Sequence, residues 1–182
     1  QIVWGIRDFE FRFNRKPEGM WLAETAVDIK SLELLAKHEI KFTILAPRQA
    51  KAIRKTGETA WTEVNTESID TRRPYDCILP SGKKIVLFFY DGDIAQGVAF
   101  NGLLNDGSKF AHRLLDSLDN ESEEPQLGHI ATDGETYGHH HKHGEMALAY
   151  CLDYIGHHEK SRLTNYAEFL ANFPPTYEAQ IH

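Results

Sequence analysis

The run Ile85-Val86-Leu87-Phe88-Phe89 limits the possible folds of this chain more than any other stretch. Five apolar residues in succession show no in-and-out alternation, so a strand there must be covered on both faces, as in a parallel sheet or a barrel wrapped by helices. Upstream, Tyr75 to Leu79 is a second extended run, and Pro80-Ser81-Gly82-Lys83 between them is a turn signal. The two runs are therefore expected to form a β-hairpin. Three further short apolar segments, Met20 to Ala23, Phe42 to Leu45 and Leu127 to Ala131, read as buried strands.

Helical patterns separate them. Ile2, Ile6, Phe9 and Phe13 lie on one helical face, with Arg7, Asp8, Arg12 and Asn14 turned to water. An opening in mid-helix implies that earlier elements are missing. Asp28 is the expected N-cap for a helix burying Ile29, Leu32, Leu35 and Ala36. Arg48 to Lys55 reads as a short basic helix, Ile94 to Leu104 as another, and Ser108 can cap a helix carrying Phe110, Leu114, Leu115 and Leu118. Glu145 to Ile155 and Tyr166 to Ala171 complete the set, residues 57–73 form a surface connection, and Thr176 to Ile181 is a last extended segment. Strands alternating with helices predict an α/β fold of about four parallel strands plus the hairpin, in a single domain over residues 1–182.

Charge and composition narrow the partners. Twenty-seven acids against 20 bases give a formal charge of -7, and no basic stripe is interleaved with aromatics, so nucleic acid is not expected as a ligand. No apolar run approaches the roughly 18 residues of a membrane span, and the start shows no signal-peptide pattern. The two cysteines, Cys77 and Cys151, have neither zinc spacing nor the number needed for a disulfide framework. They read as buried thiols in a reducing compartment, and the expected location is cytoplasmic.

Three of the four expected strands end in carboxylates: Glu24, Asp91 with Asp93, and Asp133 with Glu135. In barrels and open α/β sheets that rim carries the chemistry. Paired acids on one rim suit glycoside hydrolysis, one attacking the anomeric carbon and the other protonating the leaving oxygen. Trp21, three residues before Glu24, is the best placed aromatic for stacking on a sugar ring. His139, His140, His141 and His143 beside Asp133 and Glu135 admit a metal-site reading, with His139 and His143 as the pair sharing a helical face. Their spacing is not that of a zinc protease, and the favoured reading has no metal and no cofactor. Phosphate-cradling glycine loops, dinucleotide fingerprints and a serine nucleophile elbow are absent from the sequence.

Gly19-Met20-Trp21-Leu22-Ala23-Glu24 and Asp133-Gly134-Glu135-Thr136-Tyr137-Gly138-His139 resemble two motifs of glycoside hydrolase family 57. Phe42-Thr43-Ile44-Leu45-Ala46-Pro47 and Phe88-Phe89-Tyr90-Asp91-Gly92 are similar to a poorly characterised branch of it. The resemblance implies a distorted barrel of seven β/α units, of which this chain is the C-terminal part. It implies an α-glucan-like oligo- or polysaccharide substrate and a retaining double displacement by hydrolysis or transfer. Glu24 matches the family's nucleophile and Asp133 its acid/base, with carboxyl carbons about 5–5.5 Å apart expected for retention. Trp21, Asp91, Glu135, His139 and His140 are the expected substrate contacts. Ala23 stands where better known members have proline, and His140-His141 where some carry tryptophans. The alternatives are a metal-dependent carbohydrate deacetylase-like hydrolase and a non-catalytic glycan-binding fragment.

Overall fold

The computed structural model describes residues 1–182. They fall into two compact units, one built from residues 1–89 and 166–182 and the other from residues 90–165.

The first unit is a six-stranded sheet with three helices. Its strands are β1 (Phe42–Leu45), β2 (Ala50–Lys55), β3 (Thr62–Glu63), β4 (Pro74–Ile78), β5 (Lys84–Phe89) and β6 (Tyr177–Ile181), ordered β1-β5-β4-β6-β2-β3. The expected hairpin is β4 and β5, antiparallel from Pro74↔Phe88 to Ile78↔Lys84. The doubly covered run is β5, whose Ile85 to Phe89 are all buried between β1 and β4. Only β1–β5 and β4–β6 are parallel, so the sheet is mixed rather than parallel throughout.

One sheet face carries Tyr75, Cys77, Ile85, Leu87 and Phe89, packed with Leu32, Leu35 and Ala36. The last three come from α2 (Ile29–Lys37), which Asp28 caps by accepting from the Ser31 N–H at 2.7 Å, as its sequence predicts. On the opposite face Phe42, Phe88 and Tyr166 meet edge-on or tilted, with ring centroids 5.0–5.8 Å apart. Tyr166 opens the last helix of this unit, Tyr166–Asn172. The first helix, α1 (Ile2–Phe13), rests Ile2 and Ile6 against the main core and leaves Trp4 and Phe11 exposed.

Three expectations about secondary structure are corrected. Arg48 to Lys55 is no helix: Pro47–Gln49 forms one 3-10 turn, and β2 comes directly after it. Its alanines and basic residues favour a helix locally, but pairing with β6, the Arg54–Glu178 ion pair at 2.6 Å and the stacking of Arg54 over Trp61 at 4.5 Å outweigh that preference. Met20 to Ala23 is not a strand either. Only Gly19 bridges β1, opposite Phe42 and parallel to it, before the chain turns away. Leu127 to Ala131 has no regular secondary structure and belongs to no sheet, although Leu127 and His129 are buried.

The second unit is helical. It contains α3 (Gly92–Ala99), α4 (Gly107–Leu115) and α5 (Gly144–Gly156) around Ile94, Val98, Leu104, Phe110, Ala111, Ala147, Cys151 and Ile155. Labelled in chain order, Tyr166–Asn172 of the first unit is α6. The cap of α4 is Asp106, whose carboxylate accepts from the Ser108 and Lys109 amides, rather than Ser108 itself. Cys77 and Cys151 are free and buried, as expected. No helix is long and apolar enough to cross a membrane.

Candidate active site

Glu24 sits on a clamped elbow of the first unit. Gly19 starts it: the Met20 N–H donates to the Phe42 carbonyl at 3.1 Å, and the Thr43 hydroxyl donates back to the Met20 carbonyl at 2.8 Å. A Cβ on Gly19 would lie 2.2–2.8 Å from the Phe42 ring, so the first motif position must be glycine for the segment to approach β1 this closely. Thr25 N–H then closes on the Leu22 carbonyl and Ala26 N–H on the Ala23 carbonyl, giving a single 3-10 turn. Within that turn Glu24 and Thr25 both have φ of 55°. Two successive non-glycine residues in the left-handed region store strain, which at functional sites amounts to about 1–3 kcal/mol per residue.

Gln49 holds the elbow from outside. Its side-chain amide donates to the Thr25 carbonyl at 2.6 Å and accepts from the Ala46 N–H at 2.8 Å. The consequence is that Glu24 projects an exposed carboxylate from a backbone fixed on both sides, while Thr25 beside it is buried. Trp21, earlier in the same elbow, is half exposed. Gln49 and Thr43 are not singled out by the sequence. The signal for Gln49 was its place three residues after Ala46, where a glutamine characteristically reaches back to the start of a turn.

The other candidate residues belong to the second unit. Asp91 is half-buried and caps α3, its Oδ1 accepting from the Ile94 N–H at 2.9 Å. Its own N–H donates to the His129 carbonyl at 3.0 Å, which ties the start of α3 to the segment leading towards Asp133. Asp133 opens a 3-10 turn, Gly134–Thr136, with its carbonyl accepting from the Thr136 N–H at 3.0 Å. Its carboxylate is exposed, whereas Thr136 is buried.

Beyond this turn the backbone folds into a compact knot. The Glu135 carbonyl accepts from the amides of both His139 (3.1 Å) and His140 (3.0 Å), and the Thr136 carbonyl accepts from His141 (3.2 Å). Gly138, at φ 129°, supplies the backbone conformation that lets the chain double back. The Thr132 hydroxyl donates to the Tyr137 hydroxyl at 3.0 Å across the loop. His141 is committed elsewhere, its Nε2 lying 2.8 Å from the Ala99 carbonyl, and His143 is the left-handed residue that begins α5. The helical pairing of His139 with His143 is therefore not the one formed. The side chains that converge are Glu135, His139 and His140, all exposed, with potential ligand atoms within 4.8 Å of one another.

This mixed α/β arrangement is shared with solved structures of carbohydrate-active proteins. An α-amylase, AmyC of Thermotoga maritima, superposes with a TM-score of 0.71 at 13% identity, over 99% of this chain and 45% of that one. A 4-α-glucanotransferase of Thermococcus litoralis gives 0.68 at 20% identity, over 96% of this chain and 26% of that one. An exo-type maltose-forming amylase of Pyrococcus sp. ST04 gives 0.66 at 18% identity, over 91% of this chain and 26% of that one. The chain thus spans less than half the length of each of these proteins. No curated protein sequence matches it.

The family model of glycosyl hydrolase family 57 matches residues 1–182, and the chain belongs to that family.

Proposed function

We propose that this chain supplies the catalytic carboxylates of a retaining glycosidase or glucanotransferase acting on α-glucan-like polysaccharide. The observation that carries the reading is the Glu24 elbow. A family motif ends on Glu24, whose side chain is exposed and whose strained backbone turn is anchored one residue later, where Gln49 binds the Thr25 carbonyl, which fixes the point from which a nucleophile is presented. Asp133 is the acid/base partner from the second motif.

In the first step a Glu24 carboxylate oxygen forms a bond to the anomeric carbon as the bond from that carbon to the leaving oxygen breaks, and Asp133 gives its proton to that oxygen. In the second, water or an acceptor hydroxyl attacks the anomeric carbon and passes its proton to Asp133, and the glycosyl–Glu24 ester bond breaks. Trp21 offers a stacking face. Asp91, Glu135, His139 and His140 offer hydrogen bonds to sugar hydroxyls. The same reading places this chain in a β/α barrel of the family's distorted type and in the cytoplasm.

The test is turnover by the full-length protein on soluble starch and maltooligosaccharides. Glu24→Ala is expected to lower kcat/KM at least about 10³-fold, and Asp133→Asn by about 10²–10⁴-fold. A Glu24→Ala protein as fast as its parent would remove the assignment. Acetate release from an acetylated glycan without glycosidic cleavage would replace it with a deacetylase.

A further inference from the structure

Glu135, His139 and His140 form a set that sugar contact alone does not account for. Their ligand atoms lie within 4.8 Å of one another, and His140 Nε2 is 3.7 Å from Glu135 Oε2. The His139 and His140 rings are 5.2 Å apart between centroids and inclined at 48°, so they converge without stacking. Around a tetrahedral zinc, with bonds of about 2.0–2.2 Å, neighbouring ligand atoms stand about 3.3 Å apart. All three residues are exposed, so small torsional changes can close the remaining gap. The backbone does the gathering, since the Glu135 carbonyl binds the amides of both histidines.

We infer that Glu135, His139 and His140 bind a divalent cation of the zinc class, with water completing the coordination. Two imidazoles and one carboxylate suit zinc and exclude magnesium and calcium, which take oxygen ligands. His141 lies outside this converging set. Three exposed ligands make this an exchangeable site rather than a structural one. An ion held there occupies side chains assigned above to sugar contact, so zinc and glucan compete for the loop. The site itself does not depend on the roles of Glu24 and Asp133, because binding is read without turnover.

The experiment is calorimetric titration of the chelator-dialysed chain with zinc sulfate, paired with nitrogen-15 spectra of the histidine rings. One equivalent is expected to bind with micromolar affinity and to shift the His139 and His140 ring signals, while magnesium and calcium chloride give no heat. His139→Ala and His140→Ala are each expected to weaken binding at least about tenfold. His143→Ala and the double variant His157→Ala/His158→Ala, which alters the other exposed histidine cluster, should leave it unchanged. Absence of zinc binding by the parent overturns the inference. So does binding that survives both ligand substitutions, or that disappears with His157 and His158. Ring shifts at His139 and His140 in the unaltered parent keep the result decisive if a variant misfolds.

Discussion

Gln49 donates its side-chain N–H to the carbonyl oxygen of Thr25 at 2.6 Å, across 24 residues of sequence. Through that bond the residue after the proposed nucleophile is anchored to the turn at the end of β1. Replacing Gln49 by Ala removes the bond to Thr25 and the one from Ala46 together. The expected loss is about 1–3 kcal/mol in urea unfolding, with faster proteolysis between Trp21 and Val27. A variant as stable and as protected as the parent would show that the elbow is held by the Gly19–β1 contact alone.

Strain at the elbow has an opposite signature. Glu24→Gly should be more stable than Glu24→Ala by about 1–2 kcal/mol, because glycine takes φ of 55° without the Cβ penalty that alanine shares with glutamate. Chemical denaturation of the two variants measures the difference. Equal midpoints would mean that the left-handed backbone carries no cost there.

Two motif glycines should respond differently to a methyl group. Gly19→Ala drives a Cβ into the Phe42 ring, at 2.2 Å from its nearest atom, and is expected to cost about 1–3 kcal/mol. Gly134→Ala meets nothing within 4 Å and keeps an ordinary backbone, so its unfolding midpoint should stay close to the parent's. Thermal or urea unfolding of both distinguishes a packing requirement from a chemical one.

Acid should weaken the first unit through Asp70. Burial raises its pKa, but hydrogen bonds from Arg72 and Arg73 outweigh burial and hold the carboxyl below its ordinary value. A depressed folded pKa contributes stability above the unfolded value, and that contribution is lost as pH falls through the folded one. Asp70→Asn is therefore expected to cost about 1.5–3 kcal/mol at neutral pH, and the gap to the parent should narrow below about pH 4. A pH-independent gap in unfolding free energy would assign the effect to shape rather than charge.

Both thiols should be silent in the native state. Burial pushes Cys77 up to about 11, with the nearby Asp76 carboxylate adding to the shift, and pushes Cys151 up to about 11 by itself. A disulfide reagent at pH 8 is expected to react with neither until denaturant is added. Fast labelling of either would mean that its unit opens readily.

The hairpin, α2 with its Asp28 cap and the doubly covered β5 were legible because each is signalled within one short window: a Pro-Ser-Gly turn, an N-cap before an apolar face, an unbroken apolar run. β2 was not, since its partner β6 lies more than a hundred residues away and its alanines and basic residues favour helix. Leu127 to Ala131 misled in the other direction, because Leu127 and His129 are buried there without any ladder partner.

For the site, the sequence shows two motifs that carry Glu24 and Asp133 and a loop dense in acids and histidines, and in that loop Glu135, His139 and His140 converge rather than His139 with His143. Sequence by itself determined which residues carry ionisable groups, and that glycines stand at positions 19 and 138. Tertiary structure decided what those groups face: that Gln49 fixes the elbow, that the Ala99 carbonyl takes His141, and that Glu135 gathers His139 and His140. The reason is physical. Composition and turn chemistry act within a few residues, whereas a side-chain hydrogen bond is set by where distant backbone brings a donor within about 3 Å of its acceptor.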